Sequence, residues 1–300
     1  MMARRSHLLA ALGGVALCGT LLTTRAPMGL SAKTYSPDAF VADAREGTRR
    51  YLSRQEAVND GFTRVGVEFP AMGEHWVSFA RVMEDSFVAN RPSVLIYTNT
   101  VGGPTLAGVA YSTLLTPGET PPAFPSASAW HEHSGTVNDE SLPIGHSAHA
   151  SATRDGRLSV HDESPRLFIL HAWIWTPNPD GVFATDNWSI PLARLGVEQS
   201  ERAPRGTVRA IALAQDEDEY YRLVLRATLV LSDDEDSAAS RVLDAHRTRA
   251  EREVKSISES GRLSPGSSGR LAGMWNALWA DLERALPTRV TALRTLRAQM

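Results

Sequence analysis

The sequence predicts an α+β fold: a small, mostly antiparallel sheet with an N-terminal helix, followed by an all-α helical hairpin or bundle. Three observations lead to this prediction. A helical pattern opens at Pro37, short apolar runs separated by turn residues follow it, and the chain beyond Val197 is charged and arginine-rich with few aromatic residues. Short runs bounded by Gly and Pro are typical of strands, whereas three-four apolar spacing is typical of amphipathic helices.

The first 32 residues have the features of a signal peptide. Arg4 and Arg5 precede an apolar stretch over residues 8–22, which is shorter than the roughly 20 residues that cross a bilayer. Cleavage is predicted after Ala32, and the paired arginines leave open a signal of the twin-arginine type. We therefore expect a periplasmic or extracellular protein with no stable membrane insertion after cleavage.

Composition restricts the mature chain further. The only cysteine of the sequence, Cys18, lies in the predicted signal. The mature chain is therefore expected to have neither disulfides nor cysteine metal ligands. A net charge of −3 and export both argue against nucleic-acid binding, which requires a basic surface. The change in composition near residue 197 predicts two domains, 33–196 and 197–300, joined by a linker over residues 199–206.

Within the first domain, a helix is predicted over residues 37–59. One face of this helix carries Phe40, Ala44 and Tyr51. Residues 93–97 and 106–111 flank turn chemistry at Val101-Gly-Gly-Pro104 and predict a β-hairpin.

A second pair of segments completes this domain. Residues 166–175 are apolar at nearly every position, which is typical of a central strand buried on both faces. Residues 117–165 show little periodicity and predict an elaborated loop, a length at which loops tend to be functional or disordered.

Three helices are predicted in the second domain. Ser232-Asp-Asp-Glu235 fits a capping box, so a helix should run from there towards Ser258, with Val242, Ala245, Ala250 and Val254 on one side. A preceding helix is expected over residues 218–231. A third has three-four apolar spacing from Leu271 to Leu286 and ends at Pro287. Together they predict a small antiparallel bundle or hairpin.

The strongest candidate site is a histidine cluster. In Trp130-His131-Glu132-His133 an extended backbone would place both imidazoles on one face, and His171 or His75 could supply a third ligand. Three histidines with an open position suit zinc or copper. The sequence therefore predicts an exported protein that binds a divalent metal through His75, His131, His133 and His171.

Two further functions stay open. A metal-dependent hydrolase or oxygenase would use Glu74 or Glu132 as a general base on bound water. A metal-free periplasmic interaction or chaperone-like protein would act through the C-terminal helices; the sequence identifies no particular protein partner. In that case His131 and His133 would belong to a solvated loop, and His171 would be a hydrogen-bonded core residue.

Several motifs between about residues 40 and 190 carry a family resemblance. They are Ala44-Arg-Glu-Gly-Thr-Arg-Arg-Tyr51, Met72-Gly-Glu-His75, Leu106-Ala-Gly-Val-Ala-Tyr111 and Leu170-His-Ala-Trp-Ile-Trp-Thr-Pro-Asn-Pro-Asp-Gly-Val-Phe183. In type and order they resemble a family of uncharacterised secreted bacterial proteins, although residues 185–191 depart from it. The resemblance implies that His75 and His171 belong to one site.

The C-terminal part has a resemblance of its own. Leu231-Ser-Asp-Asp-Glu235 and the pattern from Leu271 to Gln299 resemble periplasmic helical-hairpin proteins of the metal-stress and Spy-like chaperone type. This resemblance implies a helical module that holds other proteins.

Overall fold

A six-stranded antiparallel sheet occupies the first half of the described chain, and helices dominate the second half, which confirms the α+β prediction. The computed structural model describes residues 35–84, 86–116, 118–133, 166–197, 202–215 and 218–300. The predicted signal peptide lies outside these residues. The strands are β1 (Thr63–Phe69), β2 (Gly73–Val77), β3 (Val94–Thr100), β4 (Gly103–Leu115), β5 (His131–His133) and β6 (Arg166–Ala172), in the order β1-β2-β3-β4-β6-β5.

The helices precede, interrupt and follow the sheet. They are α1 (Pro37–Thr48), α2 (Arg54–Asn59), α3 (Phe79–Glu84), α4 (Ile190–Ala193), α5 (Arg205–Leu213), α6 (Asp218–Leu229), α7 (Asp233–Ser260), α8 (Pro265–Ala285) and α9 (Val290–Gln299). None of them, within the described residues, combines the length and the apolar character that a bilayer crossing requires.

The N-terminal helix is shorter than predicted. Ser36 caps α1 by accepting a hydrogen bond from the backbone of Ala39, and Pro37 fits the first turn because its missing N–H has no partner there. At the other end the Thr48 hydroxyl donates to the Ala44 carbonyl at 2.6 Å and competes with the helical backbone bonds. A 3₁₀ turn over Arg49–Leu52 follows, so the predicted helix of residues 37–59 is two helices.

The central strands agree with the sequence pattern. Strands β3 and β4 form the predicted hairpin, and β6 pairs with β4 on one side and β5 on the other. Strand β6 ends at Ala172, three residues earlier than predicted. Strands β1 and β2 were not predicted, and the predicted loop contains β5.

The two faces of the sheet pack into different cores. Helices α1 and α2 cover one face, where Phe40, Tyr51, Tyr97 and Tyr111 are buried together. Apolar side chains of the other face, Val94, Ile96, Ala107, Ala110 and Ile169, form a second cluster with Trp173, which follows β6, and with Ile190 of α4. His75, His131 and His171 lie on this second face.

The C-terminal helices have a core of their own that includes residues from the sheet. Phe69 and Met72, at the β1–β2 connection, pack among the side chains of α5 to α9. The described residues between Tyr35 and Met300 accordingly cluster as one compact unit. Helix α5 begins inside the predicted linker of residues 199–206, and the division into domains 33–196 and 197–300 stays a prediction.

The predicted cap of α7 is confirmed. The Ser232 hydroxyl accepts from the Glu235 backbone at 3.3 Å, and the Glu235 carboxylate accepts from the Ser232 backbone at 3.0 Å. The buried stripe of α7 differs from the prediction, because Ala245 is exposed and Leu243 and His246 face the core instead. In α8 the predicted apolar stripe is buried: Leu271, Trp275, Leu278 and Leu282.

Candidate functional site

Three of the four predicted metal ligands have imidazole rings close together. The His171 ring, on β6, is 4.9 Å from the His131 ring on β5 and 5.8 Å from the His75 ring on β2, measured between centroids. His171 therefore occupies the middle of the group. We refer to His75, His131 and His171 as the imidazole cluster.

The strand order alone does not bring His75 to His171. Strands β3 and β4 lie between β2 and β6, and three interstrand spacings of about 4.8 Å would separate the two backbones by about 14 Å in a flat sheet. The 5.8 Å ring separation therefore requires the sheet to curve towards this face. The register of β3 with β4 shifts between Ile96 and Tyr97, and such bulges bend strands.

Small residues on β4 make room between the two histidine strands. Ala110 is the partner of His171 in the β4–β6 register, and Gly108 is the partner of Ile96 on β3. A Cβ atom at Gly108 would lie 2.9 Å from the Ala172 carbonyl oxygen. Glycine is therefore required where the two strands and Trp173 come together.

His171 is held in one orientation and one charge state. Its Nδ1 lies 2.6 Å from the Thr185 carbonyl oxygen, and because a carbonyl only accepts, Nδ1 carries the hydrogen and Nε2 has a lone pair. Burial lowers the pKa of His171 to about 4, and the bond to Thr185 opposes this only in part. His171 is thus neutral at pH 7, with its second nitrogen in the state that a metal ion requires.

The two candidate general bases lie away from the imidazole cluster. Alternation along β2 and β5 puts Glu74 and Glu132 on the face opposite to His75 and His131. Only 4% of Glu74 is exposed. Its carboxylate forms ion pairs with Arg54 and Arg64. It also accepts hydrogen bonds from the side chains of Trp76 and Asn99. Glu132 forms an ion pair with Arg166 at 3.1 Å.

The rest of the predicted ligand set is less well defined. The His133 backbone belongs to β5, as predicted, but its side chain and the histidines within residues 134–165 lie outside the described residues. Among the described side chains, no set of three or more His, Cys, Asp or Glu residues is arranged to hold a metal ion. The imidazole cluster therefore brings rings together without forming a finished coordination shell.

The ring separations can be compared with those of a real site. Two imidazoles bound to one zinc ion at about 2.1 Å with tetrahedral angles have centroids about 5.3 Å apart. The His131–His171 separation of 4.9 Å is slightly shorter than this value, and the His75–His171 separation of 5.8 Å is slightly longer. Both separations are therefore close to those of two imidazoles that share one ion.

Two consecutive residues were not predicted to have a role, Thr185 at the cluster and Asp186 next to it in the chain. Thr185 contributes a backbone carbonyl, for which the identity of the side chain gives no signal. Asp186 follows it, and burial raises the pKa of its carboxyl to about 6, against the opposing effect of Arg209 and Arg205.

Comparison with known proteins gives no relative. No protein-family model, curated protein or solved structure matches this chain.

Proposed function

We propose that this chain is an exported protein that binds one divalent metal ion, zinc or copper, through His75, His131 and His171, with His133 as a further ligand. The observation that supports the proposal most directly is the position of His171. It is neutral, its Nδ1 hydrogen is committed to Thr185, and two other imidazoles lie within 6 Å of its ring.

The chemistry of the ligands favours zinc or copper. Imidazole nitrogens suit both ions, whereas magnesium and calcium prefer oxygen. A backbone carbonyl that fixes the non-ligating nitrogen is the usual outer-shell partner of a metal-binding histidine. The hydrogen bond from His171 to Thr185 supplies this partner before any metal arrives.

Binding is better supported than hydrolysis. A metal-dependent hydrolase requires a general base within reach of the metal-bound water. Glu74 and Glu132 lie on the opposite face of the sheet and are engaged by arginines. The cluster thus supports uptake or transfer of a metal ion, and the hydrolase or oxygenase stays an alternative prediction.

Metal titration of the purified mature protein tests this proposal. We expect about one equivalent of zinc or copper to bind. Each of the variants His75→Gln, His131→Gln and His171→Gln should weaken binding by more than tenfold, since even loss of an outer-shell partner costs 10–100-fold. Cobalt substitution should give visible absorption bands of a nitrogen-coordinated tetrahedral site.

A matched control is available in the second half of the chain. His246 on α7 is also buried and bonds Asp281 at 2.8 Å, so His246→Gln removes a buried imidazole that is not in the cluster. It should leave metal affinity unchanged in correctly folded protein. A folded parent protein that binds neither ion, or three cluster variants with the parent's affinity, would overturn the proposal.

A further inference from the structure

Arg209, in the middle of α5, is a buried cation without a hydrogen-bonded partner. Only 6% of the residue is exposed. Within the described part of the chain its guanidinium takes part in no hydrogen bond or ion pair, and its Nε is fully buried with no acceptor. Buried charges in proteins are nearly always paired, because the loss of hydration of an unpaired charge is not compensated. An acceptor at this position would remove that cost.

Two tryptophans orient the guanidinium. The central carbon of the Arg209 guanidinium lies 4.7 Å from the Trp188 ring centroid and 5.8 Å from that of Trp275. Contacts with aromatic faces stabilise a cation, yet they leave its N–H groups without acceptors. The two rings therefore position the guanidinium without satisfying its hydrogen-bond donors.

The charges around Arg209 favour an anion with a single negative charge. Arg205 is one helical turn away on α5 and has no ion pair among the residues described. Asp186 is near enough for both arginines to lower its pKa, but it forms no ion pair with either of them. Two cations and one carboxylate leave one net positive charge, and the carboxylate repels a dianion more strongly than a monoanion.

We propose that Arg209, with Arg205, binds the carboxylate of a small monocarboxylic acid whose apolar part contacts Trp188 and Trp275. The planar guanidinium matches a carboxylate through two parallel N–H···O bonds. The tryptophan rings supply apolar and aromatic surface next to that pair. This site is independent of the proposed metal centre, since it shares no side chain with the imidazole cluster.

Tryptophan fluorescence of the metal-free mature protein tests the proposal, because Trp188 and Trp275 would report a bound ligand directly. Acetate and benzoate should each change the emission in a saturable way and raise the melting temperature, with benzoate binding more tightly. Phosphate and chloride are titrated in the same way, as anions that are not carboxylates. Phosphate that binds as tightly as benzoate would refute the choice of a monocarboxylate.

Arg209→Met separates a ligand site from a structural role. The substitution replaces the buried cation by an apolar side chain of similar length, so without ligand it should leave the melting temperature unchanged or raise it. Benzoate affinity should fall by at least tenfold. Arg249→Met, at an exposed position of α7, is the control and should keep the parent's affinity.

The opposite pattern would overturn the inference. If Arg209→Met lowers the melting temperature and benzoate has no effect on the parent protein, Arg209 serves only the fold. Should Arg209→Met fail to fold, Arg209→Lys keeps the charge but loses the fork of donors, and it should still reduce benzoate affinity by at least tenfold. A lysine variant with the parent's affinity would equally exclude the proposed recognition.

Discussion

His171 and Asp186 should give the metal-free protein two opposite dependences of stability on pH. The pKa of His171 is lowered from 6.5 to about 4 by burial. Between these values the unfolded chain binds a proton that the folded chain does not, so stability is complete above pH 6.5 and is lost as the pH falls towards 4. The difference of about 2.5 pH units corresponds to about 3.4 kcal/mol.

Asp186 acts in the other direction. Burial raises its pKa from 3.8 to about 6, so between these values the folded chain holds a proton that the unfolded chain has released. Its contribution is complete below pH 3.8 and is lost as the pH rises through 6. The difference of about 2.2 pH units corresponds to at most about 3 kcal/mol, because part of Asp186 contacts solvent. In the parent protein the two effects nearly cancel.

Single variants should reveal the two slopes. Urea denaturation with chelator present, between pH 4.5 and 7, measures the free energy of unfolding of the parent, His171→Asn and Asp186→Asn. His171→Asn keeps a donor for Thr185 and should lose about 2 kcal/mol of stability as the pH rises over this range, whereas Asp186→Asn should gain between about 2 and 3 kcal/mol. Parallel profiles for all three proteins would refute the reasoning.

Two predictions concern the fold. Gly73→Ala should cost at least about 3 kcal/mol, because φ is +72° and a Cβ would lie 2.3 Å from the Tyr97 carbonyl oxygen. Gly61→Ala, with φ +81° but open space, should cost only about 1 kcal/mol, and equal losses in urea denaturation would contradict the steric argument. Ser232→Ala removes the α7 cap and should cost about 1 kcal/mol. The exposed Ser237→Ala on the same helix should cost much less, and a similar loss there would show that the cap has no special role.

Local signals in the sequence predicted much of the fold. The capping box at Ser232 and the apolar stripe of α8 correspond to helices in the structure. The paired apolar runs around Val101-Gly-Gly-Pro104 correspond to β3 and β4. Each of these signals depends on residues within one turn or one hairpin, so no knowledge of distant contacts was needed.

Helix α5 shows why other elements were missed. Every residue from Thr207 to Leu213 is buried, including the polar Thr207 and Arg209, so the polar positions of this helix do not mark a side that faces solvent. Gly206, a poor helix former, adjoins this run because a Cβ there would lie 3.3 Å from Trp275 on α8. Tertiary packing therefore explains why a glycine stands at this position of the helix. Strand β1 is different, since Val65, Val67 and Phe69 alternate with Arg64, Gly66 and Glu68 and provided a usable signal.

Local patterns in the sequence likewise predicted one part of the candidate site, and distant contacts determine the other part. The period of two along β5 was sufficient to predict that His131 and His133 share a face, and β5 is extended as required. The approach of His75 to His171 depends on the curvature of the sheet and on Gly108, which local patterns do not express. The sequence pattern offered His75 and His171 only as alternative third ligands beside His131 and His133.

Neighbours in the sequence can be separated by the sheet. Glu74 adjoins His75 and Glu132 adjoins His131, which made both carboxylates attractive as general bases, yet strand alternation puts each carboxylate and its neighbouring imidazole on opposite faces. The imidazole face therefore contains nitrogen ligands only, while arginines compensate the carboxylates on the other face. An ion held by neutral imidazoles alone keeps its full positive charge and acidifies bound water strongly. An ion held by the imidazole cluster would supply this chemistry without help from Glu74 or Glu132, whose carboxylates lie on the other face of the sheet.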